Sequence, residues 1–174
     1  MGEIKTHPPV KLIAGLIFRD EDAAEKAKSS LERRFGKIDF ESPVLPFLHT
    51  DYYQGEFGVN LKRQFLSFQK LIDPENLSRI KITTNKIEKR LSRDNKRRIN
   101  IDPGYLDLSK LVLATTKDYS HRIYLKQGIY AEVTLFYQNR EFKPSNWTYP
   151  DYRSPEYAEI FNKIRSLYLC GLPT

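Results

Sequence analysis

The sequence predicts a single α+β domain that spans residues 1–174. Of its 174 residues, 40% are hydrophobic and 29% are charged, a balance that suits a folded core and excludes a disordered chain. Apolar runs of strand length alternate with two segments of helical periodicity in the first half of the chain. A hairpin marked by glycine and a third helical segment follow, so helix and sheet are both expected.

The N-terminal segments predict a buried strand followed by a helix. Residues 1–9 form a loose leader, because consecutive prolines disfavour regular structure there. Lys11–Arg19 is a nearly continuous apolar run, which is typical of a central strand buried on both faces. Asp20 is a good helix N-cap, and the helix is expected to reach Phe35 before a glycine ends it.

The next segments repeat the pattern. Lys37–Leu45 alternates as a half-exposed strand that breaks at a proline. Leu61–Leu71 reads as a second strand, with a helix as the alternative. Asp73 opens a helix through the sequence Asp-Pro-Glu and carries it to about Arg93. Arg97–Ile101 closes the set as a strand. This order predicts a ferredoxin-like βαββαβ sheet with two helices on one face.

A C-terminal β-hairpin and a final helix are expected to extend that sheet. Asp102-Pro103-Gly104 reads as a turn, and Leu106–Thr116 fits either a short helix or a buried strand. Gln138–Ser154 reads as a surface loop. Ser154 is expected to cap the last helix, Pro155–Leu169. Its predicted buried stripe is Tyr157, Ile160, Phe161, Ile164 and Leu167.

The hairpin lies within Ser120–Tyr137 and turns at Lys126-Gln127-Gly128. A three-residue loop keeps apolar and polar side chains on separate faces, so this register is preferred over a two-residue loop. The apolar face then pairs Leu125 with Ile129, Ile123 with Ala131 and His121 with Val133. The polar face pairs Tyr124 with Tyr130, Arg122 with Glu132 and Ser120 with Thr134.

Charge and composition restrict the partners. The chain carries 29 basic and 22 acidic residues, a net charge of +7 that favours anionic partners. One cysteine cannot form an internal disulfide. No apolar run is long enough to span a membrane and no signal peptide is recognisable, so we expect a cytoplasmic protein without membrane contact.

Familiar nucleotide and metal motifs are absent from the sequence. It contains no P-loop, no GxGxxG fingerprint and no GxSxG elbow. The three histidines lack metal-ligand spacing, so no metal site is predicted, and no cofactor is indicated. Nothing in these patterns decides whether the protein is an enzyme or what its oligomeric state is.

The segment before the hairpin collects polar groups. Lys117 and Arg122 are able to clamp a phosphate, and His121 is a candidate general acid or base, the role in which histidine is most often used. Two alternatives stay open. The pairing of His121 with Val133 favours a structural position at the hairpin edge, and Arg122 opposite Glu132 is more typical of a cross-strand ion pair than of a site.

A basic run near the end of the second helix offers another binding surface. Basic grooves with interleaved aromatic residues suit single-stranded RNA. A helix C-terminus also favours cations by itself. The residues of this run are Lys86, Lys89, Arg90, Arg93, Lys96, Arg97 and Arg98.

Several segments resemble a prokaryotic family catalogued as a domain of unknown function, number 4416, some members of which are labelled GTP-binding proteins. The segments are KLIAGLIF, GKIDFESPVLPF, TDYY, LKRQFLSFQKLIDPENL, NKRRINIDPGYLDLSKLVLATTKDYSHRIYL, GIYAEVTL and WTYPDYRS. Since the chain lacks a P-loop, a GTP site would need a different phosphate cradle. The resemblance implies that the polar members of its signatures form the site: Thr50, Asp51, Tyr52, Tyr53, Arg63, Asp102, Tyr105, Lys110, Lys117, His121, Arg122 and Glu132.

The sequence thus predicts binding of a phosphorylated or nucleotide-like anionic ligand between the TDYY loop and the KDYSHR segment. Lys110, Lys117 and Arg122 are expected to hold the phosphate. An RNA-binding module that uses the basic run Lys86–Arg98 is the first alternative. A non-catalytic protein-interaction domain is the second.

Overall fold

The computed structural model of the protein describes residues 2–48 and 58–172. Within them a single antiparallel sheet of nine strands packs against three α-helices, which confirms the α+β fold class. The strands are β1 (Lys11–Phe18), β2 (Ile38–Glu41), β3 (Leu45–Pro46), β4 (Lys62–Phe68), β5 (Ile99–Leu106), β6 (Lys110–Thr115), β7 (Ile123–Lys126), β8 (Ile129–Gln138) and β9 (Glu141–Pro144). The helices are α1 (Glu21–Phe35), α2 (Leu77–Leu91) and α3 (Pro155–Cys170).

The strand order across the sheet is β2-β4-β1-β5-β6-β8-β7. β3 shares the free edge of β4 with β2, and β9 shares the free edge of β8 with β7. Short 3-10 turns at Pro74–Asn76 and Pro150–Arg153 lead into α2 and α3. No helix in the described ranges is long and apolar enough to cross a membrane.

β1 is buried along its whole length because the sheet is covered on both faces. Its even-numbered side chains, such as Leu12 and Leu16, join the core beneath α1 and α2. Ile13 points the other way and joins the core beneath α3. The prediction of a central strand buried on both faces is therefore confirmed, and α1 and α2 share one face as expected.

The predicted starts of the first and last helices are confirmed by their caps, whereas Asp73 makes no side-chain capping bond and α2 begins only at Leu77, after the 3-10 turn. The Asp20 side chain accepts a hydrogen bond from the amide of Ala23 at 3.2 Å, and Ser154 accepts one from the amide of Tyr157 at 3.3 Å. On α3 the buried stripe ends with Tyr168, since Leu167 is 40% exposed and its predicted burial is wrong.

The predicted turn at Asp102-Pro103-Gly104 is wrong, because these residues continue β5 opposite Gly15, Ala14 and Ile13 of β1. A proline is tolerated inside a strand where its missing amide has no partner. β6 pairs with β5 only from Gly104 onward, which leaves the β6 side of Pro103 open.

The ambiguous segment Leu106–Thr116 contains a strand, β6. Asp107 makes the turn before it, since its carboxylate accepts hydrogen bonds from the amides of Ser109 at 2.7 Å and Lys110 at 2.8 Å. An aspartate that binds the next two or three amides favours a tight turn over a helix start here.

The hairpin register is correct near its open end and wrong at its turn. Ile123 pairs with Ala131 and Tyr124 with Tyr130 as predicted. Lys126, not Leu125, then lies opposite Ile129, because Gln127 and Gly128 both take positive φ and form a two-residue turn. Ile123 is 70% exposed on the sheet edge, so the predicted burial of this face of β7 is also wrong.

The segment Gln138–Ser154 is not a simple loop. Asn139 and Arg140 both have positive φ and form a tight turn from β8 into β9, which pairs with β8 up to Pro144. The sequence analysis missed this turn because it lacks the glycine that usually marks one. The rest of the segment folds back towards the middle of the sheet and supplies part of the site.

Candidate functional site

A fork in the sheet separates β5 from β6. The two strands pair only through Gly104–Leu106 and Leu111–Leu113. On one side of this junction residues 99–103 pair with β1, while β6 continues beside β8 to Thr115. A cavity of about 580 Å³, here called the fork cavity, is lined by both strands where they diverge. This volume is typical of small-molecule sites.

Side chains from both faces of the sheet line the fork cavity. The lining residues are Ile17, Phe47, Arg63, Lys81, Asn85, Glu88, Arg97, Asn100, Asp102, Leu113, Ala114, Thr115, Thr116, Lys117, Tyr119, Arg122, Glu132, Tyr149, Pro150, Asp151 and Tyr152. Five of them are Lys or Arg and four are Asp or Glu. The wall is therefore densely charged, with a small cationic excess.

Two side chains of α2 replace the missing strand at the fork. Glu88 Oε1 accepts a hydrogen bond from the Ile101 amide at 2.8 Å, and Lys81 Nζ donates one to the Ile101 carbonyl at 2.9 Å. The backbone groups of residues two apart on a strand point to the same side, so the backbone nitrogen of Pro103 also faces the fork. Because no strand of the described residues pairs with β5 there, the missing N–H of Pro103 removes no hydrogen bond between strands. The fork is thus a built feature with its backbone groups satisfied.

Arg63 lies at the floor of the fork cavity and is only 1% exposed. Its guanidinium lies 3.3 Å from Asp102, 3.8 Å from Asp151 and 2.5 Å from the Tyr152 hydroxyl. It also stacks over the Phe65 ring at 4.7 Å. These contacts hold a fully desolvated cation in one orientation.

Gly15 makes room for this guanidinium. A Cβ at this position of β1 would lie 3.1 Å from an Arg63 terminal nitrogen and 3.2 Å from the Phe65 ring. The absence of a side chain on the neighbouring strand is therefore part of how the Arg63 position is built.

The two carboxylates nearest α2 have opposite pKa shifts. Burial by itself would raise the pKa of Asp102, but the charges of Lys81 and Arg63 outweigh it and hold that pKa below its ordinary value. Burial raises the pKa of Glu88 by more than the Lys81 charge and the Ile101 amide lower it. Asp102 is thus an anion that lies between two cations, while the raised pKa of Glu88 makes its carboxylate easier to protonate than that of an ordinary glutamate.

Arg122 forms the opposite wall. Its Nε donates to Glu132 Oε2 at 2.8 Å, and its terminal nitrogens donate to the Lys117 carbonyl at 3.0 Å and the Tyr149 hydroxyl at 2.9 Å. The Tyr119 ring lies 4.6 Å from the guanidinium carbon. Arg122 therefore ties together three separate segments around the cavity mouth.

Some hydrogen-bonding capacity in the wall has no partner among the described residues. Arg63 Nε, Asn100 Nδ2 and Glu132 Oε1 are buried atoms of this kind. Buried polar groups in folded proteins normally have a protein or water partner, so these three atoms are available to water or to a ligand.

The structure brings five of the predicted site residues to this one cavity: Arg63, Asp102, Lys117, Arg122 and Glu132. His121 is not among the lining residues, but its Nε2 lies 3.2 Å from Glu132 Oε2. Its ring stacks on that of Trp147 at 5.7 Å. The Arg122–Glu132 ion pair expected from the hairpin is present and almost fully buried.

The other predicted residues are not brought to the cavity or are not described. Lys110 lies at the far end of β6 from Lys117 and pairs with Asp107 at 2.6 Å. Tyr105 packs beside Leu77 and Val112 in a separate apolar cluster. Thr50, Asp51, Tyr52 and Tyr53 of the TDYY loop lie outside the described residues.

Comparison with known families matches residues 8–168 to the model described as Domain of unknown function (DUF4416). The chain belongs to this family. No curated protein and no solved structure matches the DUF4416 chain.

The basic run of this DUF4416 chain divides into two parts. Lys86, Lys89, Arg90, Arg93 and Lys96 are exposed. Arg97 turns into the cavity wall, 3.2 Å from Glu88 and 3.0 Å from Asn100. Arg98 forms ion pairs with Asp20 and Asp22. Two of the seven predicted RNA contacts therefore already have protein partners.

The sequence analysis of the DUF4416 chain missed several lining residues: Lys81, Asn85, Glu88, Asn100, Tyr119, Tyr149, Asp151 and Tyr152. For Lys81 and Glu88 a signal was present. They lie seven residues apart on the buried stripe of α2, beside Ile80 and Ile87, where charged residues are rare. Asp151 carries no such signal, because its place in the cavity depends on a long irregular segment.

Among the described residues no group of three or more His, Cys, Asp or Glu is arranged to hold a metal ion. The four lining carboxylates instead pair with Lys, Arg or backbone donors of the wall. The chemistry of this DUF4416 site is therefore that of fixed cations, carboxylates and tyrosine hydroxyls around a small-molecule-sized space.

Proposed function

We propose that the fork cavity binds a phosphorylated or nucleotide-like anionic small molecule. The observation that carries the proposal is the convergence of five cationic side chains from separate elements on one cavity: Arg63, Lys81, Arg97, Lys117 and Arg122. Phosphate oxygens are strong acceptors for such donors, and planar guanidinium groups bind them in pairs.

The acidic residues of the wall support this proposal because they orient the cations. Asp102 lies between Arg63 and Lys81, and Glu132 holds Arg122. Cations held in place by carboxylates lose little side-chain entropy when a ligand arrives, since their rotamers are already set. The carboxylates also accept hydrogen bonds from ligand hydroxyl groups, which a sugar phosphate carries.

The test is a thermal-shift titration with inorganic phosphate, ribose 5-phosphate, AMP and GMP, and with adenosine as the uncharged control. A ligand at one hundred times its Kd adds about 2.7 kcal/mol of stability. For a chain of this size that corresponds to roughly 5–11 °C in Tm. No shift with any phosphorylated compound at millimolar concentration would remove the proposal.

Two exposed lysines provide a matched pair of variants. Lys117 lines the fork cavity, whereas Lys126 is exposed on β7 away from it. Lys117→Gln removes a charge-assisted hydrogen bond of about 1.5 kcal/mol and weakens binding roughly tenfold. Lys126→Gln leaves the Kd unchanged. Equal effects of the two substitutions would show that the general positive charge, not the cavity, attracts the ligand.

Substitutions at Lys117 and His121 separate this proposal from the interaction-domain alternative and from catalysis. A protein-interaction domain keeps its function when Lys117 and His121 are both replaced by alanine. A general acid–base role for His121, whose ring contacts the cavity-lining Glu132, predicts that His121→Ala retains ligand binding and loses turnover.

We also propose that part of the chain forms a ferredoxin-like unit, with the remaining strands and α3 as an extension. Two observations support it. β2, β4, β1 and β5 are consecutive in the sheet and antiparallel, and α1 and α2 lie on one face of them. That is the arrangement of a split βαβ pair. A crystal structure with any of these four strands elsewhere in the sheet would contradict it.

A further inference from the structure

The outer face of α2 carries a stripe of cations. Arg79, Lys86, Lys89 and Arg90 are exposed, and no described residue forms an ion pair with any of them. Lys86 and Arg90 lie one turn apart, a spacing at which like charges destabilise a helix. Repulsion among these like charges therefore destabilises the helix, and an anionic partner would reduce that repulsion.

The neighbouring helix α1 offers a comparison for this stripe. α1 packs beside α2 on the same face of the sheet, yet its exposed charges are mixed. Lys26 pairs with Asp22 at 2.7 Å, and Lys28 pairs with Glu25 at 2.9 Å. The acidic residue of α2, Glu88, is buried and faces the fork cavity. Lys26 and Lys28 of α1 thus have acidic partners on the helix, whereas none of the four stripe cations forms an ion pair with a described residue.

Residues of the stripe are adjacent in the chain to residues that line the fork cavity. Lys81, Asn85 and Glu88 on the inner side of α2 line the cavity, and their neighbours Lys86 and Lys89 belong to the outer stripe. After α2 a tight turn pairs Arg93 with Lys96, and the next residue, Arg97, enters the cavity wall. A single helix and its following turn therefore present cations both inside the cavity and along the adjoining surface.

We infer that the ligand is the phosphorylated end of a single-stranded nucleic acid. The terminal phosphate and its nucleotide occupy the fork cavity, and the following phosphates lie along the outer stripe of α2. This inference rests on the proposed function of the cavity. From Arg79 to Arg90 the helix rises about 16 Å, a length that spans several consecutive phosphates of a single strand.

A membrane surface fits this stripe less well. Basic helices that lie on membranes also insert apolar side chains into the interface. The large apolar residues of α2, including Leu77, Ile80 and Ile87, are buried against the sheet. A repeating row of phosphates needs only the exposed cations.

The experiment is fluorescence anisotropy with a mixed-sequence RNA of about twelve nucleotides. Four probes are compared: a 5′-phosphate, a 3′-phosphate, no terminal phosphate, and AMP as competitor. The stripe variant is Lys86→Gln/Lys89→Gln/Arg90→Gln. Its matched control, Lys26→Gln/Arg33→Gln/Arg34→Gln, removes the same charge from exposed positions of α1.

We expect RNA with a terminal phosphate to bind at least tenfold more tightly than RNA without one, and AMP to compete with it. Which phosphorylated end binds more tightly identifies the polarity of the strand. The stripe variant reduces the slope of log K against log salt by about 2, from three contacts at ~0.7 each. It leaves AMP affinity unchanged, and the α1 control changes the slope little.

Three results would overturn the inference. The first is RNA affinity that does not depend on a terminal phosphate. The second is an equal loss in the stripe variant and the α1 control. The third is binding of AMP with no gain for RNA, which would leave the cavity proposal standing. Failure of AMP and of every phosphorylated RNA would instead remove the cavity proposal itself.

Discussion

Arg63 and Lys62 are consecutive residues of β4 that carry the same charge in opposite surroundings. The Arg63 side chain is 1% exposed, and that of Lys62 is 41% exposed. Lys62 forms an ion pair with Glu21. Replacing each by methionine removes one charge and keeps a long side chain, so the pair isolates the effect of burial.

The expected magnitudes follow from these contacts. Arg63→Met leaves Asp151 and Asp102 without their closest guanidinium and removes the bond to Tyr152. Breaking a buried pair in this way costs about 3–5 kcal/mol. For 174 residues that lowers Tm by roughly 6–20 °C. Lys62→Met removes a solvent-screened pair and costs about 0–1 kcal/mol.

The assay is urea unfolding followed by circular dichroism, with the free energy of unfolding extrapolated to water. Arg63→Lys serves as a second variant, because it keeps the charge but not the planar fork, and we expect about half the loss. A loss for Arg63→Met within 1 kcal/mol of that for Lys62→Met would refute the reasoning. It would mean that the floor of the fork cavity contributes no more to stability than an exposed ion pair.

Two further predictions concern the fork and the core beneath α3. Gly104→Ala places a Cβ 2.3 Å from the Val112 carbonyl oxygen, so the strands must separate; we expect a loss of about 1–3 kcal/mol in urea unfolding, and none for Gly2→Ala, whose Cβ meets nothing within 4 Å. An unchanged free energy of unfolding for Gly104→Ala would show that β5 and β6 move apart freely. Burial raises the pKa of Tyr157 to about 12, so its stabilising effect is complete below pH 10 and is lost as pH rises. Relative to Tyr157→Phe, the wild-type protein should lose about 2 kcal/mol between pH 9 and 11.5, and parallel stability curves would contradict this.

The sequence was most informative where structure is local. Asp20 and Ser154 marked helix starts correctly, and the unbroken apolar run of β1 predicted burial on both faces. These signals depend on residues a few positions apart, so tertiary context had little scope to change them.

The errors arose where distant segments override local preference. Asp102-Pro103-Gly104 has the composition of a turn, but pairing with β1 extends it as a strand. Ile123 has the pattern of a core residue, but it is 70% exposed, and no element of residues 2–48 and 58–172 covers that face of the sheet edge. In both cases the deciding contact lies outside the window that a sequence pattern can read.

Five of the candidate site residues chosen from the sequence do share one cavity. The other residues that line that cavity could not be predicted from the sequence. Lys81 and Glu88 reach it because α2 lies across the fork, and Asp151 because a long segment returns after β9. Lys110 has the same local features as Lys117 but lies at the other end of β6. The length of a strand separates them, a distance that composition does not express.

The sequence by itself determined the α+β class, the caps that open α1 and α3, and the basic character of α2, because each depends on neighbouring residues and their intrinsic preferences. Only the tertiary structure decided that β5 and β6 part after three pairs. It also decided that Lys81 and Glu88 take the place of the missing strand. The physical reason is that a backbone amide and carbonyl must find partners, and at Ile101 those partners come from a helix more than a dozen residues away along the chain.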